Sequence, residues 1–163
     1  LNWLRTFHGC DIVYRHILNK QDLQYYLDYF ASHKREFKKY DIIYIACHGW
    51  HHAISLEGED GHIDLCELKT MANGFFENRI IHFGSCKTLA NPDEAKRFKE
   101  DCGARLVSGY EISVDAMTSA IADAAFFNEI MTYQNIGIFK NEASSIFRKR
   151  YESLHKDLKF RVY

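Results

Sequence analysis

The chain has 163 residues, of which 47% are hydrophobic and 26% charged, so it can bury the core of one domain and is not expected to be disordered. Its 21 Lys and Arg residues and 22 Asp and Glu residues give a net charge of -1. This balance argues against a general nucleic-acid binder, because phosphate contacts require a basic excess. No run of about 18 apolar residues occurs, and no membrane span is therefore expected. The five cysteines are an odd number without a CxxC pair, which predicts free thiols in a reducing cytoplasm.

The first half of the chain alternates between predicted strands and a predicted helix. Residues 11–17 are rich in β-branched and aromatic side chains and favour a strand. Residues 21–33 carry an apolar stripe at helical spacing. Residues 41–47 form a continuous apolar run, which is typical of a parallel strand buried on both faces. An Asp-Gly pair at 60–61 lies between two short alternating segments and predicts a hairpin.

The second half continues this alternation. The predicted helices are residues 65–72, 92–101, 114–131 and 141–154, and the predicted strands are residues 79–84, 105–109 and 159–163. This order indicates an α/β domain with a mostly parallel sheet. In such sheets, sites form beyond the carboxyl ends of the strands. The residues that follow positions 47, 84 and 109 are therefore the candidates for function.

Two of these strand ends carry the residue types of cysteine-based catalysis. His48 and Gly49 follow one inner strand, and Ser85 and Cys86 follow the next. A cysteine attacks as the thiolate, and a nearby imidazole can take its proton. The backbone N–H groups of Gly49 and Cys86 can donate to a developing oxyanion. The alternative is structural, because most cysteines in apolar strands are small core residues.

That structural interpretation is the expectation for Cys47, Cys66 and Cys102. A zinc site is an alternative use of this segment, because Cys47, His48, His51 and His52 have the side chains of metal ligands. Four ligands within six residues do not easily converge on one tetrahedral ion, so no metal is expected. Solvated loop histidines are the simpler interpretation of His51 and His52.

Two hydrophobic segments carry a recognisable pattern: IYIACHG at 43–49 and IIHFGSC at 80–86. They resemble the caspase-like cysteine peptidases, in which one hydrophobic strand ends in His-Gly and a later one ends in the nucleophilic Cys. The bacterial CHAT domains are closest in the order of elements. The resemblance covers residues 11–131 and implies one caspase-like domain over residues 1–163. Its expected fold is a three-layer α/β sandwich with a mostly parallel central sheet, helices on both faces and a small hairpin between the His and Cys strands.

Two departures from the family pattern stand out. The family has a strand and a helix before the strand at 11–17; residues 1–7 could supply part of the helix, whereas the first strand is missing. The caspase signature Gln-Ala-Cys-Arg-Gly is replaced by GSCKT at 84–88. The aspartate preference of caspases is therefore not expected here.

The resemblance implies a cysteine endopeptidase that needs no cofactor. Cys86 would form a thioester acyl-enzyme with a protein or peptide substrate, and His48 would transfer the protons. CHAT-type domains work within regulated bacterial pathways, which implies a regulatory protein partner. The alternative is a catalytically silent caspase-like scaffold or sensor domain in a larger assembly. A nucleotide binder is disfavoured because no GxGxxG or P-loop motif is present.

Three further residues are candidates for substrate binding. Asp115 follows the third inner strand and could pair with a basic side chain preceding the cleaved bond, as the corresponding region does in caspase-like enzymes. Its alternative role is a helix N-cap. Glu111 is a weaker candidate for the same pocket, and Ser85 is either a substrate contact or a turn residue. The basic face around Lys149 is either solvated or a partner contact.

Overall fold

A computed structural model of the chain describes residues 2–58, 61–132, 136–140 and 145–163. The helices are α1 (Asn2–His8), α2 (Lys20–Ser32), α3 (Lys34–Phe37), α4 (Leu65–Ala72), α5 (Pro92–Cys102), α6 (Ala116–Ile130), α7 (Ile136–Lys140), α8 (Ile146–Arg150) and α9 (Glu152–Asp157). The strands are β1 (Ile42–Ala46), β2 (His48–Trp50), β3 (Ala53–Ser55), β4 (Ile63–Asp64), β5 (Ile80–Gly84), β6 (Leu106–Tyr110) and β7 (Phe160–Val162). Within these described ranges, no helix is both long and apolar enough to cross a membrane.

The central sheet has the strand order β1-β5-β6-β7. Strands β1, β5 and β6 are parallel, with Ile42 opposite Ile80 and Ile80 opposite Leu106. Strand β7 is antiparallel to β6, which places the C-terminal segment on an edge. The first four residues of β5 and all of β6 are buried, as expected for inner strands. The α/β class and the mostly parallel sheet are confirmed.

The hydrophobic core lies on both faces of this sheet. Alternate residues of β5 point to opposite sides: Ile81 and Phe83 belong to one buried cluster, and Ile80 belongs to the other. The first cluster includes buried side chains of α2, α4 and α5, and the second includes those of α1 and α6. Helices therefore cover both faces of the sheet.

The segment that runs from His48 toward Cys86 forms a small second sheet with the strand order β2-β3-β4. Strands β3 and β4 are antiparallel, with Ala53 opposite Asp64, so the predicted pairing of these two segments is confirmed. Residues 59–60, which include the Asp of the predicted Asp-Gly turn, lie outside the described residues. This small sheet corresponds to the hairpin that was expected between the two strands.

Helix boundaries follow local sequence signals. Asn91 caps α5 by accepting from the amides of Asp93 and Glu94, Pro92 occupies the first helical turn, and Gly103 ends the helix with a left-handed φ of 63°. Helix α6 is capped in the same way by Asp115. These two helices lie where the sequence predicts them.

The predicted strand at residues 11–17 is wrong, because this segment has neither helical nor strand structure. Two of its apolar side chains pack against the core instead, Ile12 against one buried cluster and Ile17 against the other. The Tyr14 side chain is exposed. A segment rich in β-branched and aromatic residues forms a strand only where a neighbouring strand supplies hydrogen-bond partners.

The predicted single helix at 141–154 is also corrected: α8 and α9 are separate short helices, and residues 141–144 lie outside the described residues.

Candidate active site

The register of the central sheet brings the predicted catalytic residues to one edge. Ala46, the last residue of β1, lies opposite Gly84, the last residue of β5. His48 and Cys86 each lie two residues beyond this pair. Because β1 and β5 are parallel neighbours, both positions leave the sheet at the same end.

Gly49 lies directly against the backbone of Cys86. A Cβ atom placed on Gly49 would overlap the Cys86 carbonyl oxygen, and would lie 2.8 Å from both the Cys86 nitrogen and the Thr88 hydroxyl. No side chain larger than hydrogen fits in this space without a shift of backbone. The two residues predicted to form an oxyanion hole are therefore in contact.

The Cys86 side chain is half-buried and held by the segment after β6. The amide of Val114 donates to the Cys86 sulfur at 3.4 Å, and the Val114 carbonyl oxygen lies 3.7 Å from the same atom. The His48 side chain is exposed, and the described residues show no hydrogen bond between its ring and Cys86. Catalytic hydrogen bonds are often loose or absent before substrate binds.

The turn that presents Cys86 is tied down on both sides. The hydroxyls of Ser85 and Thr88 bond at 2.7 Å, and both side chains are buried. The amide of Lys87, a residue with a left-handed φ of 56°, donates to the Ile112 carbonyl oxygen at 3.1 Å. The hydroxyl of Ser85 is therefore buried within the turn and bonded to Thr88.

The two candidate carboxylates have partners within the protein. Asp115 Oδ1 accepts from the amides of Met117 and Thr118 and from the Thr118 hydroxyl, at 2.9 to 3.1 Å. The hydrogen bonds from Thr118 hold the pKa of Asp115 below its usual value. Glu111 forms a bidentate pair with Arg161, at 2.7 and 3.0 Å, which ties β7 to the end of β6. Asp115 is exposed next to the Cys86 contact at Val114, whereas Glu111 is directed to Arg161.

A buried polar network, which sequence reasoning missed, lies beneath this edge of the sheet. His82, in the middle of β5, is fully buried and donates through Nε2 to Asp123 of α6 at 2.8 Å. Its Nδ1 lies 2.9 Å from the Ser108 hydroxyl of β6. The hydroxyls of Tyr44 and Tyr110 also donate to the Asp123 carboxylate. One carboxylate thus connects β1, β5, β6 and α6.

The hydrogen bonds of this network favour the ionised form of Asp123. Burial alone would raise the pKa of Asp123, but the hydrogen bonds from His82, Tyr110 and Tyr44 lower it below its usual value. Burial and the nearby Asp123 charge raise the pKa values of Tyr44 and Tyr110. The sequence signal for this network is a histidine in an apolar strand together with an aspartate in an apolar helix, because buried polar groups require partners.

The network also touches the strand end that leads to Cys86. A Cβ atom on Gly84 would lie 2.6 Å from the Tyr44 hydroxyl and 2.9 Å from Asp123 Oδ2. Gly84 therefore lets the polar groups approach the β5 backbone two residues before Cys86. The position of this strand end depends on the buried network.

The other cysteines differ in burial. Burial raises the pKa of Cys47 to about 11 and that of Cys102 to about 12, which makes their thiolates rare at neutral pH. Cys66, expected in the core, is instead exposed on α4, because the buried face of that helix is formed by Leu65, Leu68, Met71 and Ala72. Among the described residues, no three His, Cys, Asp or Glu side chains are close enough to hold a metal ion.

A family model matches residues 1–163, and it describes a family of unknown function, DUF6642. The chain belongs to the DUF6642 family. No curated protein matches this DUF6642 chain, and neither does any solved structure.

Proposed function

We propose that the protein is a caspase-like cysteine endopeptidase in which Cys86 is the nucleophile and His48 the general acid and base. The observation that carries the proposal is the packing of Gly49 against the Cys86 backbone at the ends of two adjacent parallel strands. This packing supports the proposal, because it brings Cys86, the residue after His48 and the amide groups of Gly49 and Cys86 into one small region. A family resemblance in the IYIACHG and IIHFGSC segments supports the same activity.

The proposed reaction proceeds through a thioester. His48 takes the thiol proton of Cys86, the Cys86 sulfur attacks the carbonyl carbon of the peptide bond, and the amides of Gly49 and Cys86 donate to the resulting oxyanion. His48 protonates the departing amine, which leaves an acyl group on sulfur. His48 then takes a proton from water as the water attacks the thioester, and the acid product and free thiol are released.

The proposed substrate is a protein segment bound in extended form, because strand pairing at a sheet edge suits such a segment. All five cysteines are free, which supports a reducing cytoplasmic setting. A regulatory protein partner in a bacterial pathway belongs to this proposal through the CHAT resemblance.

The first experiment measures the reaction of each cysteine with iodoacetamide at neutral pH by peptide mass. Cys86 is expected to react about tenfold faster than the exposed Cys66, because a catalytic imidazole promotes the thiolate. Cys47 and Cys102 are internal references for slow thiols, since burial raises their pKa values to about 11 and about 12.

Two histidine variants make this experiment specific. His48→Ala is expected to remove the advantage of Cys86, whereas His51→Ala, at a neighbouring exposed histidine, is expected to leave it unchanged. Cleavage of a peptide library is expected to fall at least about 1,000-fold in both Cys86→Ala and His48→Ala. Equal labelling of Cys86 and Cys66 in the native protein, with no cleavage, would contradict the peptidase proposal.

A catalytically silent scaffold or sensor is the second candidate. The observation that favours it is the exposed His48 side chain, which makes no hydrogen bond to Cys86 among the described residues, while Val114 engages the Cys86 sulfur. Under this candidate, His48→Ala and Cys86→Ala leave binding and stability almost unchanged. The labelling rates described above separate the two candidates.

Asp115 provides a test of substrate preference. Its carboxylate is exposed, ionised at neutral pH and adjacent to Val114, which contacts Cys86. Asp115→Ser keeps an N-cap oxygen for α6 but removes the charge. We expect peptides with Arg or Lys before the cleaved bond to lose about tenfold of their advantage over Leu peptides. An unchanged preference, measured as kcat/KM, would assign Asp115 to helix capping alone.

A further inference from the structure

An exposed aromatic side chain lies on the same face of β2 as the histidine of the candidate site. Successive residues of a strand point to opposite faces, so His48 and Trp50 share one face and Gly49 belongs to the other. Both side chains are exposed. Ile54 and Ile63, which strand pairing places on the Gly49 side of the small sheet, are buried. The exposed face of this sheet therefore continues from His48 to Trp50.

Trp50 is held by its neighbours although the residue is 52% exposed. The His62 ring stacks on the Trp50 ring, with ring centroids 5.3 Å apart and an angle of 8° between the planes. His62 is fixed in turn, because its Nδ1 lies 2.6 Å from the Ser55 hydroxyl. Trp50 therefore presents a preorganised aromatic surface close to His48.

The residue after Cys86 brings a cation to this face. The Nζ atom of Lys87 lies 5.9 Å from the centroid of the Trp50 ring, within the range of a cation–π contact. The Lys87 amide donates to the Ile112 carbonyl oxygen at 3.1 Å, and the Lys87 carbonyl oxygen accepts from the His52 amide at 3.3 Å. These bonds hold the residue at its left-handed φ of 56° and fix the origin of the side chain.

The ammonium group of Lys87 lacks an anionic partner within the part of the chain that the structure describes. Lys87 is half-buried, and no carboxylate of the described residues forms an ion pair with it. In contrast, Lys39 and Lys156 each pair with a carboxylate. A charge-assisted hydrogen bond to a carboxylate is stronger than a cation–π contact alone. The surface at Lys87 therefore fits a ligand that brings a carboxylate.

The proposed reaction decides which part of a substrate meets this surface. The imidazole that protonates the departing amine must come within hydrogen-bond distance of it. His48 therefore lies on the side of the departing segment, and Trp50, about 7 Å further along β2, borders the residues after the cleaved bond. Asp115, proposed for the residue before the bond, follows β6 on the other side of Cys86, because β5 separates β1 from β6.

We propose that Lys87, held by Trp50, selects substrates with Asp or Glu just after the cleaved bond. This inference rests on the proposed peptidase function and adds a substrate class to it. The ammonium group of Lys87 donates a charge-assisted hydrogen bond to the substrate carboxylate. The indole ring of Trp50 keeps the ammonium group beside the departing segment.

Internally quenched peptides that differ only at the residue after the cleaved bond provide the test. The native protein is expected to cleave the Glu peptide with a kcat/KM about tenfold above that of the Gln peptide. Lys87→Gln is expected to remove this preference, Lys87→Arg to keep it, and Lys87→Glu to transfer it to a Lys peptide. The matched control Lys38→Gln, at an exposed lysine next to α3, is expected to leave the preference unchanged.

Variants of Trp50 test its part in holding the cation. Trp50→Ala is expected to reduce the preference for Glu about threefold, whereas Trp50→Phe keeps an aromatic face and most of the preference. A loss of stability alone would lower the cleavage of the Glu and Gln peptides equally and would leave their ratio unchanged.

A second measurement detects the Lys87 charge without any peptide. Iodoacetate is an anion and iodoacetamide is neutral, so the ratio of their reaction rates at Cys86 reports the local charge. Lys87→Gln is expected to lower this ratio about threefold, and Lys38→Gln is expected to leave it unchanged. Thermal unfolding checks that each variant is folded. If Lys87→Gln unfolds, Lys87→Asn replaces it, because Asn tolerates the left-handed conformation.

The outcomes separate this inference from the peptidase proposal. Equal kcat/KM values for the Glu and Gln peptides, or an iodoacetate ratio that Lys87→Gln leaves unchanged, would overturn the role of Lys87 and leave the peptidase standing. A native preference for a Lys peptide would do the same. Absence of cleavage with every peptide would remove the inference together with the peptidase function on which it rests.

Discussion

Asp123→Ala is expected to lower the free energy of unfolding by about 3–5 kcal/mol, because it removes the carboxylate at the centre of a buried hydrogen-bond network. The variant leaves His82 and the hydroxyls of Tyr44 and Tyr110 without their common acceptor. Each unsatisfied buried donor carries its own desolvation penalty. Since small domains are stable by only about 5–15 kcal/mol, this one change removes a large share of the total.

Denaturant unfolding followed by circular dichroism measures the effect. Glu100→Ala is a suitable control, because it removes an exposed carboxylate from a helix and should change stability by less than about 0.5 kcal/mol. Asp123→Asn keeps one carbonyl acceptor and is expected to fall between the native protein and Asp123→Ala. If Asp123→Ala and Glu100→Ala proved equally stable, the network would contribute nothing to stability.

The pH dependence of this difference has a defined sign. The folded state lowers the pKa of Asp123 from its ordinary value of 3.8. The stability that ionised Asp123 contributes is therefore fully present above pH 3.8 and is lost as the pH falls through the lower folded value. The stability gap between the native protein and Asp123→Asn should be widest near neutral pH and should narrow in acid.

Gly49→Ala is expected to disrupt the candidate site even though it adds one methyl group. The new Cβ would overlap the Cys86 carbonyl oxygen and crowd the Cys86 nitrogen and the Thr88 hydroxyl. Two of these three atoms belong to the backbone, so β2 or the Cys86 turn must move. A displacement of about 1 Å at reacting groups lowers catalytic rates by about 100-fold.

The measurements are the labelling rate of Cys86 and the peptidase kcat/KM of the folded variant. Overpacking should also lower stability by about 1–3 kcal/mol. Gly74→Ala is the control: its Cβ meets open space, although a φ of 77° strains the backbone. It should lose some stability and keep the native Cys86 labelling rate. Native labelling and activity in Gly49→Ala would show that the close approach has no role in catalysis.

Several features of the fold were predictable because their causes lie close together in sequence. The signals for α5 are Asn91, Pro92 and Gly103, which act within a turn of the helix ends. The apolar run of β5 indicates burial on both faces, and the alternation of strands with helices indicates a parallel sheet. The same prediction for β1 is wrong, because β1 lies at the edge of the sheet and is only partly buried. From that order alone, His48 and Cys86 are expected at one sheet edge, where the register of β1 and β5 places them.

Other features depend on contacts between distant parts of the chain. Residues 11–17 have the composition of a strand, yet in the structure they form none. Glu111 is a candidate for substrate binding from its position after β6, and only the structure shows that it pairs with Arg161, 50 positions away. The orientations of the Ser85 hydroxyl and the Cys66 thiol were also visible only in the structure, because composition does not say which way a side chain points.

The sequence by itself determined the α/β class, the mostly parallel sheet and the positions of His48 and Cys86 just after two of its strands. Local caps, turns and hydrophobic runs act over a few residues, so these features can be read along the chain. Only the tertiary structure decided the contact of Gly49 with Cys86 and the network that joins His82 to Asp123, 41 positions apart. Such contacts follow from how strands and helices pack across the sheet, and packing is set by the whole chain.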